Sequence, residues 1–190
     1  MKSNYIILFV FLICSFSFSQ EKDDLFNMIE QEEKKIELLP EKMIFTQSLL
    51  WGKKGLFRKT GISPLNLENR QKELKIRKTM LTTHQAIGYL TLASMIAQGI
   101  IGGKLYNGDE SLRSTHNTMG KVVNIGYFTG AGLSLFSPPP LINKKVKGFN
   151  SIKAHKILAT VHFSAMIATN YYKDKNKSNH KAAAYTAFAS

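Results

Sequence analysis

Five histidines carry whatever chemistry this chain can do: His84, His116, His155, His162 and His180. All lie in or beside apolar stretches, where an imidazole is costly and faces the interior with a partner. His84 comes six residues after Lys78, about 9 Å into the first apolar stretch, and His162 comes six residues after Lys156, at a similar depth in the third. His116 and His180 open the second and fourth segments, near the opposite surface. The spacing therefore predicts two level-matched pairs, His84 with His162 and His116 with His180. His155 is the alternative to His162, two turns away on the same face but beside Lys153 and Lys156. Paired neutral imidazoles on facing helices are what six-coordinate haem iron requires. A small residue one turn beyond each ligand leaves room for a porphyrin edge: Gly88 after His84, Gly120 after His116, Ala159 after His155 and Ala184 after His180. His162 instead has Met166 there. Any one histidine could equally be a hydrogen-bonded packing residue; the set points to haem b, one or two groups. No acid or thiolate lies in the apolar stretches, and imidazole-only sites suit haem, copper or zinc. The single cysteine, Cys14, sits in the N-terminal leader, which excludes disulfides, thiolate zinc sites, iron–sulfur clusters and covalent c-type haem from the mature chain.

Helices must position these side chains. Residues 79–103 are 25 residues without a charge, long enough to span a bilayer with some tilt. Residues 122–143 are 22 uncharged residues, interrupted by Pro138, Pro139 and Pro140, so that helix should stop near Phe136. Residues 157–172 are 16 uncharged residues, extended to a span by residues 151–156. A last segment from His180 to Ser190 gives only about 16 Å of helix, half a hydrocarbon core. Small residues such as Gly99, Gly102, Gly126 and Gly130 stud these segments, as close helix packing in lipid demands. The expected fold is all-α: a membrane four-helix bundle over residues 79–190, its last helix incomplete, with a small exported helical N-terminal segment.

The 190 residues suffice for one such domain, and the charge is lopsided, with 26 Lys+Arg against 13 Asp+Glu. Ten of the acids fall in residues 21–78 and only Asp109, Glu110 and Asp174 in residues 79–190. The basic excess flanks apolar runs behind an export signal, so it is not read as a nucleic-acid surface. Residues 1–20 have the layout of a signal peptide: Lys2, an apolar run over residues 5–14, then small and polar residues. Residues 23–39 are expected to form an amphipathic helix closed by Pro40. Residues 43–58, with the single tryptophan Trp51, read as a helical cap, or alternatively as an element lying on anionic headgroups with Trp51 and Phe57 at the interface.

The run His84, Gln85, Ala86, Ile87, Gly88, then Gln98 and Gly102, then His116, Asn117, Thr118, Met119, Gly120 and Asn124, resembles the central two helices of the cytochrome b561 family. The resemblance covers about 110 residues. It implies a four-helix core with two b haems, ligands from alternate helices, and electron transfer across a membrane. The chain departs from the family pattern in its short last helix, its two candidate ligands on the third helix, and the lack of flanking helices. The expected function is a b-type haem membrane protein carrying electrons across the inner (cytoplasmic) membrane, multi-pass, with membrane lipids, an electron donor, an acceptor and a partner subunit as the partners to seek. The alternative is a haem-free structural or accessory subunit of a membrane complex, its histidines spent on interhelical hydrogen bonds. A membrane oxidoreductase with its own substrate site lacks a catalytic acid, base or nucleophile. The leader places residues 21–78 in the periplasm, although ten nearby cationic residues on that side against seven on the other lean the opposite way.

Overall fold

Asparagine starts three of the helices. Asn66, Asn150 and Asn176 each accept a hydrogen bond from a main-chain N–H of the first turn, which satisfies donors that a helix start leaves orphaned. The computed structural model describes residues 37–142 and 148–190. The leader and nearly all of the helix expected over residues 23–39 lie outside the described residues. Those described are helical or irregular, without a strand: α1 (Phe45–Trp51), α2 (Leu56–Lys59), α3 (Leu67–Tyr106), a 3-10 turn (Glu110–Leu112), α4 (Arg113–Leu135), α5 (Ser151–Tyr172) and α6 (Lys177–Ala189).

The helix α3 is 40 residues long, about 60 Å. It is longer than expected because the basic residues 70–78 continue it instead of leading up to it. A turn with Gly108 at φ 106° reverses the chain into α4. Helix α4 stops at Leu135, as the three prolines require.

The helices α3 and α4 pack closely as one hairpin and α5 with α6 as another; between the hairpins, close backbone approach is found chiefly where α3 meets α6. Side chains bridge the remaining gap. Asn124 and Asn170 exchange two amide hydrogen bonds between α4 and α5, at 2.8 and 2.7 Å. The rings of Phe128 and Phe163 meet edge to face beside them. Around the ring the order is thus α3, α4, α5, α6, which leaves α3/α5 and α4/α6 as diagonal pairs. The buried apolar core is thin: Val123, Ala165, Met166 and Ala187, with Met95 and Tyr127 against it. Larger apolar side chains point outward instead, among them Leu90, Ile100, Ile125, Ile157 and Ile167. Such a surface suits lipid better than water. Among the described residues α3 is the one helix long and apolar enough to cross a membrane.

Residues 38–66 build a cap on the C-terminal end of α4. A helix end leaves carbonyls without partners, and here side chains supply donors. Thr46 Oγ1 donates to the Leu135 carbonyl at 2.6 Å and Trp51 Nε1 to that of Phe136 at 3.0 Å. Arg77 donates to the Pro138 carbonyl at 2.7 Å, and Arg70 to those of Pro139 at 3.2 Å and Leu38 at 2.7 Å. Behind this row Glu73 accepts hydrogen bonds from Arg58, Arg70 and Ser63. Arg70 and Glu73 are each only 1% exposed. Burial by itself would raise the Glu73 carboxyl; the hydrogen bonds from Arg58, Ser63 and Arg70, with the Arg58 charge, outweigh it and hold the group below its ordinary range. The interfacial role considered for Trp51 and Phe57 is therefore replaced: Trp51 is buried with its indole N–H spent on α4, and Phe57 packs edge-on against it at 4.5 Å.

Candidate histidine sites between the helices

His116 and His180 meet across the α4/α6 diagonal. Their ring centres are 6.3 Å apart and their planes nearly perpendicular, at 83°. Each is placed by its position in the first turns of its helix, and each is only partly exposed. His180 Nδ1 lies 2.9 Å from the Thr169 carbonyl of α5. As the donor, Nδ1 carries the proton, which leaves Nε2 of His180 as the bare nitrogen. On the other ring, Gln98 from α3 donates to the His116 carbonyl at 3.0 Å and has its amide nitrogen 3.4 Å from His116 Nε2. His116 Nδ1 and Gln98 Oε1 are buried without a hydrogen-bond partner. Gly102 makes the approach possible: a Cβ there would stand 2.9 Å from His116 Cε1.

His84 and His162 each contact the same turn of α4. His84 Nδ1 is 2.9 Å from the Gly130 carbonyl, and the His162 ring packs on Tyr127 at 4.8 Å between centres, tilted 34°. Tyr127 and Gly130 are three residues apart, so the two imidazoles share a level although they sit on different hairpins. His155 is exposed on α5, whereas His162 is partly buried against Tyr127.

The small residues divide. At Gly88 a Cβ would meet nothing within 4 Å, and at Gly120 it would meet the Gln98 amide at 3.2 Å. Ala159 is exposed and Ala184 partly buried. At Gly130 a Cβ would stand 3.6 Å from His84 Nδ1, an ordinary contact, whereas Gly102 makes room for His116. Gly126 does the same for Thr91, whose Oγ1 a Cβ would meet at 2.5 Å. The histidines, Gln98, Gly102 and Asn124 stand out in the sequence, but the contacts of the last three do not. Thr169, Tyr127 and Asn170 went unseen, because nothing in their local spacing marks which helix they face.

The ring separation of His116 and His180 and the carbonyl beside His180 are compatible with a bis-imidazole metal centre. Two imidazoles bound on opposite sides of one ion have ring centres about 6 Å apart, since each metal–nitrogen bond is about 2 Å and each nitrogen about 1 Å from its ring centre. The His116/His180 separation equals this. Ligating histidines commonly donate their other ring N–H to a main-chain carbonyl, and His180 and His84 both have such a carbonyl in reach. Clusters of three or more His, Cys, Asp or Glu fit to hold an ion do not occur among the described residues; His116 and His180 are in ring contact, whereas His84 and His162 each contact α4. No family model, curated protein or solved structure matches the chain.

Proposed function

We propose that the bundle is a b-haem electron-transfer module of a membrane, in which His116 and His180 would hold one haem and His84 and His162 a second at the other level. The observation that carries this reading is the His116/His180 pair: two imidazoles from diagonal helices at 6.3 Å, with an unpartnered ring nitrogen buried on one of them. Haem bound there supplies one-electron chemistry, its potential set by axial ligands and burial. The chain's own part is to fix the imidazoles: the Thr169 and Gly130 carbonyls orient His180 and His84, Gln98 holds His116, and Tyr127 braces His162. The exposed apolar side chains around α3, α4 and α5 support a place in lipid, multi-pass in the inner membrane, with residues 38–66 on the periplasmic side. Donor and acceptor proteins meet the two ends of the bundle.

The test is the haem-to-protein ratio of detergent-purified variants. His180→Ala and His116→Ala should each remove the same one equivalent, His84→Ala and His162→Ala the other, and His155→Ala neither. Unchanged ratios, or a colourless parent protein from haem-replete cells, would instead favour a haem-free accessory subunit whose histidines serve the hydrogen bonds to Gly130 and Thr169.

A further inference from the structure

The short helix α1 is inside out. Its bundle-facing positions are Gln47 and Trp51, 8% and 9% exposed, whereas Phe45 and Leu49 point away and are 79% and 54% exposed. These two residues are four apart and share a face. Ile44 and Leu56 are also exposed, and Ile62, in the following bend, is 70% exposed. In water a seven-residue helix gains nothing by covering a glutamine and presenting phenylalanine and leucine.

Its level in the molecule explains this. Thr46 and Trp51 bind the last carbonyls of α4, and Arg77 binds Pro138 just beyond them. Arg77 and Lys78 are the last charges before the 25 uncharged residues of α3. The helix α1 is therefore fixed where the hydrocarbon begins. Its outward face continues an apolar one, since Leu135 and Phe136, to whose carbonyls it is bonded, are themselves exposed. Lys53, Lys54 and Lys59 follow directly and are exposed. From this we infer that Phe45 and Leu49 of α1 are a membrane-interface anchor, seated in the boundary between acyl chains and headgroups of the bilayer that α3 crosses, with the lysines against anionic phosphates. The cap is thus held on two sides, to the bundle by the buried Arg58 with Glu73 and Arg70 of α3, and to the lipid by its apolar face. The inference rests on the membrane reading of α3 and not on haem.

The test uses single-cysteine variants of the full chain in a Cys14→Ser background, labelled with an environment-sensitive fluorophore and reconstituted into vesicles of neutral and anionic phospholipid. Positions are Phe45→Cys, Leu49→Cys, Thr60→Cys on the exposed side of the cap, and Ile100→Cys on the outer face of α3. All four are exposed, so the substitutions leave the packing alone. Expected is a blue-shifted emission at 45 and 49, most of it lost to spin-labelled lipid and little to aqueous iodide, with the reverse at 60. Iodide quenching at 45 and 49 while 100 responds to spin-labelled lipid would overturn the anchor and leave the membrane reading standing; iodide quenching at 100 as well would overturn both. Protection from both quenchers that rises with protein density would show a second copy or another protein on α1, and would also overturn the anchor.

Discussion

Replacing Glu73 by Gln keeps the shape of the side chain and removes its charge. Four hydrogen bonds converge on this carboxylate, two from Arg58 and one each from Arg70 and Ser63. Both guanidinium groups are nearly sealed from solvent, at 6% and 1% exposure. The variant leaves two buried cations without a counter-charge, and losing one partner of a buried ion pair costs about 3–5 kcal/mol. At about 1.4 kcal/mol per tenfold, the population with the cap detached should rise by roughly two to four powers of ten. Trp51 is the only tryptophan and sits buried against α4, so its emission reports attachment of the cap alone. In a urea titration of the detergent-solubilised protein, the Trp51 transition of Glu73→Gln should move to much lower denaturant, while the far-ultraviolet signal of the long helices stays in place. The pH dependence has a definite sign. The folded-state value of Glu73 lies below 4.5, so its contribution is complete above pH 4.5 and is lost as pH falls through the depressed value. The parent should therefore release its cap in acid, and Glu73→Gln should lack that step. A Trp51 transition unmoved by the substitution, or an acid step retained in it, would refute the view that this carboxylate locks the cap to the bundle.

Gly102→Ala should displace His116, since the new methyl would stand 2.9 Å from its ring, and haem content should fall, whereas Gly88→Ala, with open space around it, should leave content and thermal stability as they were; parallel absorbance and melting curves check this. Gly126→Ala should lower the melting temperature through its clash with Thr91, and Thr91→Ala should restore part of the loss in the double variant. Asn124→Leu should cost about 1 kcal/mol by stranding Asn170, and Asn124→Leu with Asn170→Leu less than twice that, as a double-mutant cycle in detergent would show. Thr46→Val should loosen the cap by about 1 kcal/mol, read from the same Trp51 titration, because the Leu135 carbonyl loses its donor.

The helical class and most helix ends were legible in the chain, because uncharged runs and prolines are local signals. The end of α4 at Leu135 follows directly from Pro138, Pro139 and Pro140. The start of α3 did not: Leu67 belongs to the helix because Asn66 caps it and because Arg70, Glu73 and Arg77 are spent on long-range partners, which no periodicity reveals. The His116/His180 pairing was visible, since both residues lie a similar distance into helices that run the same way. What sets their approach was not. Whether a glycine admits a histidine, as Gly102 does, or faces open space, as Gly88 does, depends on which neighbour crosses it. The inverted face of α1 was hidden for a like reason: the residue types allowed both a cap and an interfacial element with Trp51 outward, and only the carbonyl of Phe136 explains why Trp51 turns in.

The central claim stands or falls on the reduced-minus-oxidised spectrum of the purified protein from haem-replete cells, recorded beside His180→Ala. Expected are a Soret band and a sharp α band in the parent, haem that acid acetone extracts because no cysteine follows Cys14, and loss of part of that α band in the variant. A parent without these bands, or a variant with the parent's full spectrum, would contradict it.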